Sequence, residues 1–585
     1  MVRKAMPVFG LVVLGLLAQA AIGAENLPPA TRWVPRDAVL VVEVARPKAV
    51  LDAALDPKLV ERVTKTPAYK KAVAQPGFLQ FVAVVRMLEG QLGTDWKSAL
   101  HGLLDGGITW AVEPDGGTVL LVDAQDEKLL AKLHDTLMTI TKGDAAGKGD
   151  PDRVKSQEYG GVTCWSIGGE EAHAILGNRL ILTNKSSTLK KVLDLRAAGD
   201  DKGVAGLAAY QAARQAAGPE AAASVFVNLA AVKQAPGVDK ALAEQQGNPM
   251  SALLFAGVLE AVRQSSWLAL GLKIDGTTLS LEIASDGKVS SASGAAAFTT
   301  PSRTGDGALP SLSVPRTIAS LSLYRDLHGF YAAKDKLFPE RTSGLIFFEN
   351  MMAIFFSGRD LTEEILAQAK PQIRFVVAEQ KYDPAIGTPQ LQVPAFAAIF
   401  RVRNPQQFGE VMEEAWQKAV GLVSVTSGQK AQGGLIIKHP THNGVPFTMA
   451  SFSSAGLNKT NLAMQFNFRP ALVSLGDYMV LSSTDGLAKD LIDTLKKEID
   501  EQVKAIAGAH SLLRVDLAQV ASVLGANRTA MVQQNMLEKG TRQEEAEGQI
   551  DVLLTVLKYI GRADLSVADR DGQARARLQV KLNPD

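Results

Sequence analysis

The chain has 585 residues, enough at roughly 100–200 residues per domain for two to four domains. Hydrophobic residues make up 46% and charged residues 21%, which excludes a disordered polyelectrolyte. Lys and Arg number 62 against 61 Asp and Glu, so no strong net field draws in nucleic acid, and a single cysteine excludes a disulfide framework or a multi-thiolate metal site.

Arg3 and Lys4 precede an apolar run from Val8 to Leu17, and the small residues Ala18-Gln19-Ala20 and Ile22-Gly23-Ala24 follow. That order is the order of a secretory signal peptide. Residues 1–24 are therefore expected to be a signal peptide, cleaved after Ala20 or Ala24, and the mature protein to be exported to the periplasm or beyond. The small-x-small match is better at Ala20, because a cut after Ala24 places bulky Ile22 three residues upstream. An uncleaved anchor needs about 20 apolar residues, and Gln19 and Glu25 interrupt too soon. No later stretch is expected to cross a membrane, so no transmembrane segment should remain after cleavage.

The first predicted strand is Val39 to Val44, after Val34-Pro35-Arg36, with a helix from Pro47. A helix over Phe78–Leu92 follows, then a hairpin of Ile108–Val112 and Thr118–Val122 turning at Asp115-Gly116-Gly117. Thr141 to Asp152 is glycine-rich and reads as a solvated loop. A meander of Val162–Ile167, Ala172–Leu176 and Leu180–Thr183 leads into a helix over Thr188–Arg196, with later strands at Ser224–Leu229, Trp267–Ile274 and Thr278–Ile283.

The same order then recurs. Val314-Pro315-Arg316 opens a strand from Ile318 to Leu323, Leu475-Gly476-Asp477 matches Leu176-Gly177-Asn178, and Leu487–Lys497 repeats the amphipathic helix. Asp275-Gly276 and Asp571-Gly572 mark the closing hairpins. Tight turns between neighbouring strands imply antiparallel pairing, and the intervening helices are expected to cover one face. The predicted fold class is α+β, with two tandem copies of a largely antiparallel sheet covered by helices. Residues 25–298 form the first module, 299–313 a polar linker and 314–585 the second module. The apolar run Leu345–Phe356 occupies the place of Phe78–Leu92, and its Phe and Met residues read as core, with lipid binding as the alternative.

Pro35 to Val44, Gly93-Thr94-Asp95 with Leu103 to Val112, and the Leu-Gly-Asn/Asp segment before a helix resemble exported bacterial proteins grouped as a domain of unknown function. The resemblance implies export and an α+β architecture, and it carries no catalytic residues.

Constellations with chemical potential fall short of a site. His439 and His442 supply two imidazoles but no third metal ligand. Asp144, Asp150 and Asp152 lack the spacing of a helical-hand calcium loop, and Lys142 and Lys148 oppose the charge. Ser187 and Lys190 have the Ser-x-x-Lys spacing of some acylating hydrolases without its companion motifs. Cys164 lies in an alternating strand and reads as a small buried side chain. The last strand, Gln573 to Leu582, alternates Arg575, Arg577, Gln579 and Lys581 with apolar residues, as a half-solvated edge does.

The expectation is an exported envelope protein with no catalytic, cofactor or metal residues, acting as a binding or structural scaffold on an envelope protein or polymer and not on nucleic acid. Two alternatives stand beside it: a carrier of a hydrophobic ligand, and a hydrolase with its site between the modules. The asymmetric insertions Gln380–Val393, Ser424–Gly434 and Ser451–Thr460 are the first places to look for recognition.

Overall fold

The computed structural model describes residues 27–65, 69–70, 73–169, 171–199, 202–234, 237, 248–288, 293–303, 305–429, 434–454, 459–460, 462–570 and 573–583. The expected signal peptide, the Asp571-Gly572 turn and parts of the two later insertions lie outside these residues.

The strands of the first half are β1 (Leu40–Val44), β2 (Gly107–Val112), β3 (Thr118–Asp123), β4 (Val154–Tyr159), β5 (Val162–Ile167), β6 (Ala172–Leu176), β7 (Arg179–Thr183), β8 (Ala223–Val227), β9 (Leu268–Asp275) and β10 (Thr278–Lys288). Those of the second are β11 (Thr317–Tyr324), β12 (Ala369–Ala378), β13 (Ala395–Val402), β14 (Leu435–Lys438), β15 (Thr441–His442), β16 (Val445–Phe452), β17 (Ala471–Leu475), β18 (Tyr478–Ser482), β19 (Ala509–Asp516), β20 (Arg562–Arg570) and β21 (Gln573–Lys581). The first set pairs in the order β4-β5-β6-β7-β3-β2-β1-β8-β9-β10. The second pairs as β14-β16-β17-β18-β13-β12-β11-β19-β20-β21, with short β15 beside β16. All these pairs are antiparallel, so the chain is α+β and writes one pairing plan twice. β4 and β14, each at a sheet edge, were not among the expected strands.

The helices are α1 (Pro47–Ala54), α2 (Pro57–Lys65), α3 (Pro76–Leu92), α4 (Trp96–Leu104), α5 (Glu127–Gly147), α6 (Ser186–Ala198), α7 (Ala208–Ala217), α8 (Pro249–Gln264), α9 (Thr342–Phe355), α10 (Pro405–Gln429), α11 (Asp485–Asp500), α12 (Leu517–Ala526), α13 (Arg528–Lys539) and α14 (Gln543–Ile560). They cover both faces of each sheet, where one was expected. Val473 and Val480 pack with α11 residues such as Leu491, whereas their chain neighbours Leu472 and Met479 pack with Phe408 and Trp416 of α10. Successive strand residues point to opposite faces, so the two clusters lie on opposite sides of the sheet. In the first half Ile181 joins Leu189 and Val192 of α6, while Leu180 joins Leu130 and Leu137 of α5.

Two expectations about irregular segments fail. Thr141 to Gly147 is not a loop but the last turns of α5, whose start is capped by the Asp126 carboxylate accepting from the Leu129 N–H at 2.9 Å. Asp144 pairs with Lys148 one turn on, at 2.8 Å, which suits a helix surface. The polar linker is also no free spacer. Leu309 and Leu312 are buried in the second sheet's core, and the Ala308 N–H donates to the Ala509 carbonyl at 2.6 Å.

The described residues form two compact units, one within Met1–Val238 and Ser265–Asp286, the other within Asp239–Gln264 and Gly287–Asp585. The boundary therefore differs from the expected break near residue 298, because α8 belongs to the second unit. Arg325, 1% exposed, ties α8 to that unit. Its guanidinium donates to the carbonyls of Leu253 and Leu254 in α8 at 2.5 and 3.0 Å, and to those of Tyr324, His510 and Thr299 at 2.6, 2.8 and 3.2 Å. A fully buried guanidinium needs all its donors met, and α8 supplies two of the acceptors. Ala252 of α8 packs in the same unit with Phe330 and Phe338.

Candidate functional site

The most unusual surface is α9, which takes in all but the last residue of Leu345–Phe356, the run expected to be core. Within Thr342–Phe355 no side chain is fully buried. Phe347 is 72% exposed and Ile354 70%, with Ile346, Phe348 and Met351 also open. The expectation fails because the sheet face beneath is already occupied by Phe408 and Trp416 of α10. Of the run, only Phe356 is fully buried in that cluster, with Met352 and Phe355 partly buried beside it. The single charged residue of α9, Glu349, is turned to the Lys334 Nζ at 3.1 Å. Apart from this ion-paired, partly exposed carboxylate, what α9 shows to its surroundings is uncharged.

Helix α3 stands at the same point of the first copy and has the same character. It buries only Leu88 and Leu92, near its C-terminus. Leu79 and Phe81 are more than half exposed, and Val84 and Met87 are open as well. Gly93 ends the helix in the left-handed conformation, φ 73°. Just beyond it Trp96 is exposed, with the Lys97 Nζ 5.6 Å from its ring centroid. Residues 57–97 carry seven Lys or Arg and three Asp or Glu, a local excess in a nearly neutral chain.

A second feature lies between each long helix and its meander. In the first unit Trp165 pairs with His173 across β5 and β6, and His173 with Leu182 across β6 and β7. The His134 ring of α5 meets both, with centroids 6.1 Å from Trp165 and 5.7 Å from His173. Both imidazoles are buried, and His134 Nδ1 and Nε2 and His173 Nε2 have no hydrogen-bond partner. Burial pushes His134 down to about 2, helped by His173 and Lys142, and His173 down to about 3.

In the second unit the corresponding rung is Thr448, Leu472 and Leu481. The turns before β5 and β16 match as well: Gly160 and Gly161 have φ 59° and 76°, Asn443 and Gly444 φ 47° and 81°. Here a cleft of about 230 Å³ opens, lined by Glu413, His439, Thr448, Leu472, Ser474 and Met479 among others. The Thr448 hydroxyl donates to the Glu413 carboxylate, both oxygens lying at 3.0 Å, and His439 Nδ1 stands 3.1 Å from the same hydroxyl. With the hydroxyl proton on Glu413, Nδ1 must be the donor to Thr448. The Gln417 amide also donates to Glu413, at 2.9 Å.

The other residues singled out in the sequence do not converge. His439 and His442 face different partners, the latter meeting both Asp493 oxygens at 3.0 Å. Among the described residues no group of three or more His, Cys, Asp or Glu could hold a metal ion. Ser187 and Lys190 are both exposed, and the Lys190 Nζ lies 5.6 Å from the Tyr159 ring. Burial, followed by the nearby Glu158, raises the Cys164 thiol. The Gln380–Val393 insertion is tied down: Tyr382 Oη and the Val393 N–H both donate to Asn467 Oδ1, at 2.7 and 2.9 Å. Sequence reading missed Glu413 and Thr448 because neither belongs to a motif; their one signal was the Trp-to-Thr difference between matched strands.

No family model matches the chain and no curated protein is similar to it. Among solved structures, crystal forms I and III of TP0453 show similarity at a TM-score of 0.24, with 9% and 8% identity. The similarity covers 46% and 45% of this chain and 82% and 81% of theirs.

Proposed function

We propose that the protein is a non-catalytic binding protein of the cell envelope whose helices α3 and α9 dock on lipid. The observation that carries this reading is the apolar, solvent-facing surface of α9. Soluble chains rarely leave contiguous large side chains such as Phe347, Met351 and Ile354 open without a partner surface. Its 14 residues are too few to cross a bilayer, which needs about 20. Among the described residues no helix is long and apolar enough to cross a membrane. A helix of this length and composition suits the interface between headgroups and acyl chains.

Lipid is favoured over a protein partner by the surroundings of α3. The basic excess of residues 57–97 complements an anionic headgroup layer, and exposed Trp96 is of the type that settles at that depth. The expected signal peptide would deliver the chain to a compartment bounded by such surfaces. Flotation of the purified protein with phosphatidylethanolamine–phosphatidylglycerol vesicles tests the reading. The protein should rise with the vesicles, and Phe347→Asp with Ile354→Asp should reduce the bound fraction about tenfold. Protein left at the bottom of the gradient overturns lipid docking. Self-association without vesicles, abolished by the same pair, would instead assign the face to a second copy.

A further inference from the structure

One fold position is filled in the first copy and open in the second. In the first, the Trp165 indole occupies it, and the Lys142 Nζ lies 4.8 Å from the ring centroid. The strand registers place Val119 opposite Thr183 and Ala397 opposite Ser482. Carried along α5 and α10, that correspondence sets Lys142 against Val420, Asp135 against Glu413, and Trp165 against Thr448. The second copy therefore has neither the indole nor its ammonium at these positions. Beside Thr448 the cleft is lined by a half-buried carboxylate, Glu413.

We propose that the cleft under α10 binds a small organic cation with a flat apolar body, an aromatic monoamine in chemical class. Leu472 and Met479 supply apolar wall, and Glu413 is the one carboxylate among the lining residues. The carboxylate is pre-oriented by Thr448 and Gln417, so it receives an ammonium without first having to be ordered. His439 and Ser474 add polar contacts at the mouth, where both are exposed. The volume, about 230 Å³, falls below the roughly 300–1,000 Å³ of pockets for drug-sized ligands, which limits the ligand to about one fused ring and a short chain. The site shares no residue with α3 or α9, and its test does not involve lipid.

Tryptamine reproduces the missing pair of groups, and indole-3-propionate has the same ring with the opposite charge. Calorimetric titration of the purified protein should show saturable one-to-one binding of tryptamine, with indole-3-propionate at least tenfold weaker. Glu413→Gln should weaken tryptamine by at least tenfold, and Thr448→Trp should abolish binding by restoring the indole. Gly409→Leu guards against misfolding of the tryptophan variant: a Cβ there meets only the Ser474 hydroxyl, at 3.6 Å, so the longer side chain enters the cleft from a helix that gains propensity. Absence of saturable tryptamine binding overturns the proposal. So does equal affinity for the two ligands, or binding that survives both Glu413→Gln and Gly409→Leu.

Discussion

The imidazole rings of His134 and His173 meet edge to face, 5.7 Å between centroids, with no hydrogen-bond partner for three of their four nitrogens. Lys142 and Trp165 are the other groups at this contact, and Lys142 adds repulsion toward any proton taken up by His134. Both rings are therefore neutral in the folded protein at ordinary pH.

Acid should destabilise the first unit through this pair. Their folded values, about 2 and about 3, lie below the ordinary imidazole value near 6.5. Between roughly pH 3 and 6.5 the unfolded chain binds protons that the folded chain refuses, so stability rises with pH in that window. By pH 5 each ring costs up to about 2 kcal/mol. Urea denaturation at pH 7.5 and pH 5 should show this loss, and His134→Phe with His173→Phe should remove most of it. His510, pushed by burial to about 3, makes a similar contribution in the second unit and stays in the double variant as an internal reference.

Arg325 should be among the least replaceable residues. It stays charged near neutral pH even though burial lowers it to about 10. Replacement by Leu removes the shared donor from the carbonyls of Leu253, Leu254, Thr299, Tyr324 and His510. The expected cost is about 3–5 kcal/mol, and Lys should recover little of it, because one ammonium cannot reach acceptors spread around a planar fork. Equilibrium unfolding checks this, and a change below about 1 kcal/mol would show that the network adds no net stability.

Much of this architecture was legible because it is local. The Asp-Gly turns at Asp115 and Asp275, the alternation in β2 and β3, and the Leu-Gly-Asn/Asp signal before α6 and α11 act over a few residues. Sequence reading failed where tertiary context decides. Hydrophobicity alone made α9 look like core, yet burial depends on what already covers the sheet, and Trp416 and Phe408 were there first. Ala145 and Ala146 outweighed the glycines that suggested a loop after Thr141. One tie of α8 to the second unit is Arg325, more than 60 residues further on, and no window of sequence joins the two.

The contrast between open and buried aromatics predicts a divided response along one chain segment. Phe347→Ser and Ile354→Ser change side chains already in solvent and should move the melting temperature by little, within about ±0.5 kcal/mol of stability each. Phe330→Ala and Phe338→Ala empty a packed cluster, the two rings lying 5.6 Å apart, and should cost about 3–5 kcal/mol. Thermal unfolding of the four variants reads this out. Large losses at Phe347 would mean that α9 is covered in the free protein and not open as described.

Two glycines give the sharpest test of the linker, because the same substitution should act with opposite sign. A Cβ on Gly307 would stand 1.9 Å from the Ile506 carbonyl, a backbone atom held by the Ile506 N–H donating to Ala308 O at 2.9 Å and by Gly508 N–H donating to Asp306 O at 2.9 Å. Gly307→Ala must push these strands of backbone apart and should cost about 1–3 kcal/mol. Gly344 lies within α9 with nothing within 4 Å of its would-be Cβ. Gly344→Ala should therefore stabilise by about 0.5–1 kcal/mol through helix propensity and the stiffer unfolded chain. Denaturation midpoints measured side by side decide the matter: a tolerant Gly307 would mean that residues 305–309 are a loose tether and not a laced part of the second unit.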